Sequence, residues 1–191
     1  MNDATSAEQP IAPHQRYLVL TRMTIVALIV LILDFATKLL VSQTMELRET
    51  ITLIPGFLGL HYLKNPGAAF GVGTGWPEWV RLPFFVTVFA IAVYVLYTFY
   101  KRCTPQQLGL QISLGLVAGG AIGNMADRLV HQRVTDFIDI YVRQYHWPCF
   151  NIADAAITIG VALLFYQVWI LEGRREPMVE NAPGAATAQK R

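Results

Sequence analysis

Four long apolar runs constrain this chain more than anything else in it, because each comes close to the roughly 20 residues that a helix needs to cross a bilayer. Residues 23–33 carry no charge, and the apolar character continues past Asp34 to Val41. Residues 83–100, 103–126 and 155–171 are also uncharged. Only 15% of the 191 residues are charged, against about 25% in an ordinary soluble domain. Of the 28 charged residues, 10 lie in 1–16 and 172–191, which leaves 18 for the 155 residues between. That distribution excludes a soluble globule, a disordered chain and a nucleic-acid binder with a basic face. A net charge of +2 points to no acidic partner. Two cysteines cannot build a disulfide scaffold. The reading is an integral membrane protein with four transmembrane helices.

Asp34-Phe35-Ala36-Thr37-Lys38 follows the first run where a cleaved leader would need small residues, so that run is read as retained. Pro83 is expected in the first turn of the second helix. Lys101-Arg102 and Arg174-Arg175 end the second and fourth runs, and Arg16 and Arg22 precede the first. By the positive-inside rule both termini are then cytoplasmic. Residues 51–54 and 57–63 read as short strands separated by Pro55-Gly56 and closed by Asn65-Pro66-Gly67. They predict a small extracytoplasmic β element within about 44–75, between helices 1 and 2. Trp76, Trp79, Tyr141, Tyr145 and Trp147 suit an interfacial aromatic belt. Residues 16–173 are read as one domain, and 1–15 and 174–191 as disordered cytoplasmic tails.

On this topology the intramembrane polar residues meet at one depth. Asp34 and Lys38 fall in the outer half of helix 1, and Asn124, Asp127 and Arg128 at the outer end of helix 3. Asp136 and Asp139 follow in an outer loop, and Asn151 and Asp154 open helix 4. Ionisable groups at membrane depth usually face a functional interior. Simpler roles exist for each: an i,i+4 ion pair for Asp34 and Lys38, snorkelling for Arg128, a helix cap for Asn151 and Asp154, and solvent-facing decoration for Asp136 or Asp139. Gly115, Gly119 and Gly123 recur every four residues and read as a helix-packing row.

The chemistry narrows by elimination. The four histidines lack ligand spacing, so no metal is expected, and no serine stands in a nucleophile motif. Cys103 and Cys149 fall on opposite sides of the membrane. Carboxylates remain. Two that share a site hold one proton between them, so that one can act as general base on water while the other donates to a carbonyl. Asp127, Asp136, Asp139 and Asp154 are the candidates, and the pattern alone does not choose a pair. A proton-coupled transporter is an alternative use of buried carboxylates, but the inner halves of the helices lack a relay. A non-enzymatic scaffold leaves the convergence unexplained.

Five stretches resemble the lipoprotein signal peptidase (signal peptidase II) family in order and spacing. They are Asp34-Phe35-Ala36-Thr37-Lys38, Lys64-Asn65-Pro66-Gly67-Ala68-Ala69-Phe70, the run from Gly119 to Arg128, Val134-Thr135-Asp136-Phe137-Ile138-Asp139, and Phe150-Asn151-Ile152-Ala153-Asp154. The resemblance spans roughly residues 20–172. It implies a four-helix aspartyl protease of the bacterial inner membrane, with an outer β-cradle and an active site near the outer leaflet. Such an enzyme cuts just before the lipidated cysteine of diacylglyceryl prolipoproteins. It implies Asp136 and Asp154 as catalytic, Asn65, Arg128, Asn124 and Asn151 around substrate, and Asp34, Lys38, Asp127 and Asp139 in support. It further implies no cofactor, no nucleic acid, contact with membrane lipid, blockage by globomycin-type peptide antibiotics and a monomeric enzyme. Thr135 departs from the family's usual Val.

Overall fold

The computed structural model describes residues 12–68 and 71–173. The expected tails therefore lie largely outside the described residues, as do Ala69 and Phe70. Among the described residues, four helices are long and apolar enough to cross a membrane. They are α1 (Pro13–Thr44), α2 (Glu78–Arg102), α3 (Leu108–His131) and α4 (Ile152–Gly173). Two start earlier than the sequence reading. Residues 13–15 belong to α1 rather than to a tail. Helix α2 begins at Glu78 behind Pro77, so Pro83 sits inside the helix and not in its first turn. At this sixth helical position a proline leaves the Trp79 carbonyl without its i→i−4 donor, one lost bond close to the helix start. Cys103 follows α2 as its C-cap instead of opening α3.

The strands β1 (Thr50–Ile54), β2 (Leu58–Asn65), β3 (Val134–Val142) and β4 (Tyr145–His146) form one antiparallel sheet in sequence order. The expected pair between α1 and α2 is β1 and β2. Its turn is tight: Phe57 N–H donates to Ile54 O at 3.0 Å, with Pro55 and a positive-φ Gly56 (79°) between. Those are the residues a type II turn requires. The sheet corrects the sequence reading at one point. Asp136 and Asp139 stand on β3 and not in a loop, because Val134–Val142 pairs with β2 along nearly its whole length. The cradle therefore draws half its strands from between α3 and α4. It closes one end of the bundle, where α1 and α3 finish and α2 and α4 begin.

Helix α3 is the centre of the bundle. Its glycine row lies against α1: a Cβ at Gly115 would meet Val26 Cβ at 2.7 Å, and one at Gly119 would meet Ala27 O at 2.7 Å. A Cβ at Gly120, on another face, would strike the Ala153 carbonyl of α4. Small residues let the three backbones approach this closely. That closeness decides the site, because polar side chains on α1, α3 and α4 then come within hydrogen-bonding reach of one another.

Candidate active site

Asp34 and Lys38 belong to the inward stripe of α1, which buries Val30, Asp34, Lys38 and Val41 at helical spacing. The i,i+4 ion pair forms, with Lys38 Nζ 2.7 Å from Asp34 Oδ2. The ammonium has three donors and uses them all. It also reaches Asp127 Oδ2 at 3.0 Å and Asn124 Oδ1 at 3.3 Å. The other oxygen of Asp34 accepts the Ala153 N–H at 3.0 Å. A carboxylate on α1 thus satisfies an orphan donor in the first turn of α4, where negative charge is favoured. Asp127 Oδ2 also accepts Thr135 N–H at 3.2 Å, which ties α3 to the start of β3.

Asn151 is fully buried and joins the remaining groups. It caps α4: its Oδ1 accepts Asp154 N–H at 2.9 Å, and its own N–H donates to Asp154 Oδ2 at 3.3 Å. This is the reciprocal capping pattern, so the cap reading of both residues holds. The cap does more than cap. Asn151 Nδ2 donates to Asp136 Oδ1 at 2.8 Å and to Asn124 Oδ1 at 3.2 Å. Asn124 Nδ2 donates to Asp154 Oδ1 at 2.7 Å. The two amides therefore form a bridge from Asp136 to Asp154. The sequence left four aspartates as candidates; the geometry puts these two on one network and on one cavity.

The cavity measures about 600 Å³, and Asp136, Asp154, Asn65 and Arg128 line it. The rest of its lining is mostly apolar, including Ile140, Trp147, Phe150 and Ile157. Asp136 is 3% exposed. Burial pushes its carboxyl up to about 6, and the charge of Asp154 pushes the same way, against the hydrogen bonds from Asn65 and Asn151. Asp136 therefore changes protonation state near neutral pH, where an ordinary aspartate does not.

Asn65 is fixed at both ends of its amide. Its Nδ2 donates to Asp136 Oδ2 at 2.9 Å, and its Oδ1 accepts Gly67 N–H at 2.9 Å. Gly67 has no room for a side chain, since a Cβ would meet Val72 O at 2.5 Å. Its carbonyl accepts Arg128 Nη2 at 3.1 Å. Arg128 is not a snorkelling residue. Its Nη1 donates to Asn124 O at 3.1 Å, its guanidinium stacks 4.0 Å from the centre of the Phe85 ring, and its buried Nε has no partner among the described residues. All ten residues singled out in the sequence thus stand at the sheet end of the bundle. Nine share this connected set.

Asp139 is the tenth. Buried beside β2, it points away from the amide bridge and pairs with His146, whose Nδ1 lies 2.9 Å from Oδ1. Sequence reasoning missed His146, although a buried carboxylate calls for a donor and a histidine stands seven residues on. It also missed Phe85 and Lys64. Lys64 Nζ donates to Thr135 Oγ1 at 2.8 Å across the β2–β3 pair. The hydroxyl that departs from the expected Val therefore has its own partner. Both cysteines are free, Cys103 buried and Cys149 half-buried on the cavity wall.

Known proteins resemble this chain over most of its length. Residues 26–170 match the family described as signal peptidase (SPase) II. A lipoprotein signal peptidase of Desulforapulum autotrophicum is 41% identical over 149 residues, covering 78% of this chain and 92% of its own. Another, from Syntrophus aciditrophicus, is 42% identical over 152 residues, covering 80% and 93%. A solved structure described as a bacterial membrane enzyme superposes with a TM-score of 0.72 at 31% identity, covering 83% of this chain and 94% of that one.

Proposed function

The chain belongs to the signal peptidase II family and is a multi-pass membrane protein, and from that premise we propose that it is an aspartic endopeptidase of the bacterial inner membrane. It removes signal peptides from diacylglyceryl prolipoproteins by cutting just before the lipidated cysteine. The observation that carries this reading is the amide bridge Asp136–Asn151–Asn124–Asp154, which holds two carboxylates on one largely apolar cavity. Both termini are cytoplasmic, so the sheet end lies at the outer leaflet, where the lipid anchor of such a substrate remains. We read the enzyme as a monomer.

The chemistry follows from the pair. Asp136, with its carboxyl held near 6, carries the shared proton and donates to the scissile carbonyl oxygen. Asp154 takes a proton from a water as its oxygen attacks the carbonyl carbon. Collapse of the tetrahedral intermediate returns the carbonyl proton to Asp136, while Asp154 passes its proton to the leaving amide nitrogen. The pair ends as it began. Arg128 and Asn65 flank the carboxylates and orient the peptide. Peptide antibiotics of the globomycin type would occupy the same cavity.

The test is cleavage of a lipidated prolipoprotein and of its unlipidated form, with and without globomycin. Asp136→Asn and Asp154→Asn are expected to insert normally and to lose about 10³-fold or more in rate, the scale of general acid–base catalysis. Full activity in either variant would sink the dyad, and equal cutting of the unlipidated form would sink the substrate assignment.

A further inference from the structure

His146 stands in no motif and does not line the cavity, yet it holds a buried carboxylate. Its Nδ1 lies 2.9 and 3.0 Å from the two oxygens of Asp139. The Asp139 side chain is 3% exposed and that of His146 54%. The imidazole stacks on Tyr141 with ring centres 5.0 Å apart and planes within 16°. The stretch that follows, Trp147-Pro148-Cys149-Phe150, runs back along β3 and forms one wall of the cavity. Its backbone is pinned at the ends: Trp147 N–H donates to Ile140 O at 2.8 Å, and Phe150 N–H to Ile138 O at 3.1 Å. Between those pins Pro148 has no N–H to offer. Asn151, the first member of the amide bridge, comes next in the chain. A side-chain clasp at His146 therefore sits at one end of the wall and the carboxylate network at the other.

We propose that His146 is a positioning residue for substrate: it clasps the β3–β4 hairpin to Asp139 and so sets the wall of residues 147–150 against the apolar part of the peptide beside the scissile bond. The inference rests on the peptidase reading of the cavity. A neutral hydrogen bond that is exposed on one side is weak, but one to a buried carboxylate is among the stronger kinds. The chemistry stays with Asp136 and Asp154, whose side chains are held by Asn65, Asn124 and Asn151, three residues outside the wall. Loss of the clasp should then weaken binding and spare the chemical step.

Cys149 provides a reporter inside the wall. Burial and the charges of Asp139 and Asp136 push its thiol up to about 11, so in the intact wall it should label slowly. Cys103 is 2% exposed, and a Cys149→Ala control identifies the labelled site.

The experiment uses the full chain with a lipidated prolipoprotein and three variants. His146→Ala should raise KM about tenfold with kcat within about twofold. His146→Asn, whose amide nitrogen takes the position of Nδ1, should return KM to within about twofold of the parent. His146→Gln places its nitrogen one bond further out and should not. Maleimide labelling of Cys149 should speed up in His146→Ala and slow again in His146→Asn. An unchanged KM in His146→Ala, a loss confined to kcat, or rescue by Gln equal to that by Asn overturns the proposal. Labelling needs no substrate. If the chain cut nothing, a labelling rate unaffected by His146→Ala would still overturn the clasp, whereas faster labelling would leave the clasp standing and the peptidase reading at fault.

Discussion

The two ends of the bundle are built from the same helices and hold opposite kinds of interior. At the sheet end, α1, α3 and α4 converge through Lys38, Asn124, Asn151 and their carboxylate partners. At the other end, Val19, Cys103, Leu110 and Leu114 form an apolar core with Met23, Leu96, Phe99 and Leu164 around them. Its polar part is a small knot. Arg22 Nη1 donates to Pro105 O at 3.0 Å, and Gln111 Nε2 to Thr104 O at 2.8 Å. The knot satisfies the α2–α3 connection and, among the described residues, touches no carboxylate. Packing that tolerates repacking holds one end, and a fixed set of charges and amides holds the other. Damage to the first should lower stability alone, while damage to the second should reach the chemistry.

The sharpest way to break that contrast is Lys38→Met. It leaves the buried Asp34 and the half-buried Asp127 without their shared cation, and stranding a buried charge typically destabilises by about 3–5 kcal/mol. Thermal unfolding in detergent should show the loss, and activity per folded molecule should fall with it. A fully active Lys38→Met enzyme would mean that the network is scaffolding only. At the opposite end, Leu114→Ala should also destabilise, by about 2–5 kcal/mol, since Leu114 is fully buried. Here kcat/KM, corrected for the folded fraction, should stay at the parent value. A selective fall in kcat would erase the distinction between the two ends.

A third test reads pH. The carboxyl of Asp136 sits near 6 in the fold against an ordinary 3.8. Its raised position means that folding favours the protonated form. The associated stability is complete below about pH 4 and is lost as pH rises through about 6. Asp136→Asn should flatten that slope. In the assigned role Asp136 must carry a proton, so kcat/KM should fall along a basic limb with a midpoint near 6. Asn65 donates to the charged form and holds the carboxyl down. Asn65→Ala should therefore move the limb to higher pH, whatever it does to the maximum rate. A limb that moves down or stays fixed contradicts the assignment.

How much of this was legible in the sequence differs between the two ends. The apolar end was legible as spans and nothing more, because apolar helices say little about which faces meet. At the sheet end the polar residues could be named and placed at one depth. Their pairing could not be read, since Asp136 joins Asp154 through amides 27 residues apart in the chain. Strand β3 was missed for a definite reason. Val134–Val142 is buried on both faces over most of its length, so it lacks the alternation that marks a half-exposed strand. The sequence reading therefore places its two aspartates in a loop. The misplaced start of α2 had a signal that went unused: Pro77 followed by Glu78, a proline at the helix boundary and an acid in the first turn.

The smallest expected effect concerns Thr135, where the sequence reading expected Val. Thr135 is 3% exposed and precedes Asp136 on β3. Its hydroxyl accepts from Lys64 at 2.8 Å, and the Lys64 ammonium also lies 5.7 Å from the centre of the Tyr62 ring. Lys64 and Thr135 are direct cross-strand partners, one position from the Asn65–Asp136 hydrogen bond on the same pair of strands. Thr135→Val restores the apolar side chain at nearly constant volume and removes one hydrogen bond. Its cost should be about 0.5–1.5 kcal/mol. Lys64→Met should cost about the same, and the double variant little more than either alone, because both singles delete one shared interaction. Additive losses would show that Lys64 and Thr135 act separately. If the coupling appears in stability but leaves the basic limb unmoved, the tie fixes strand register and does not tune Asp136. That outcome is the one expected, since Thr135 and Lys64 face away from the side of the strand that carries the carboxylate.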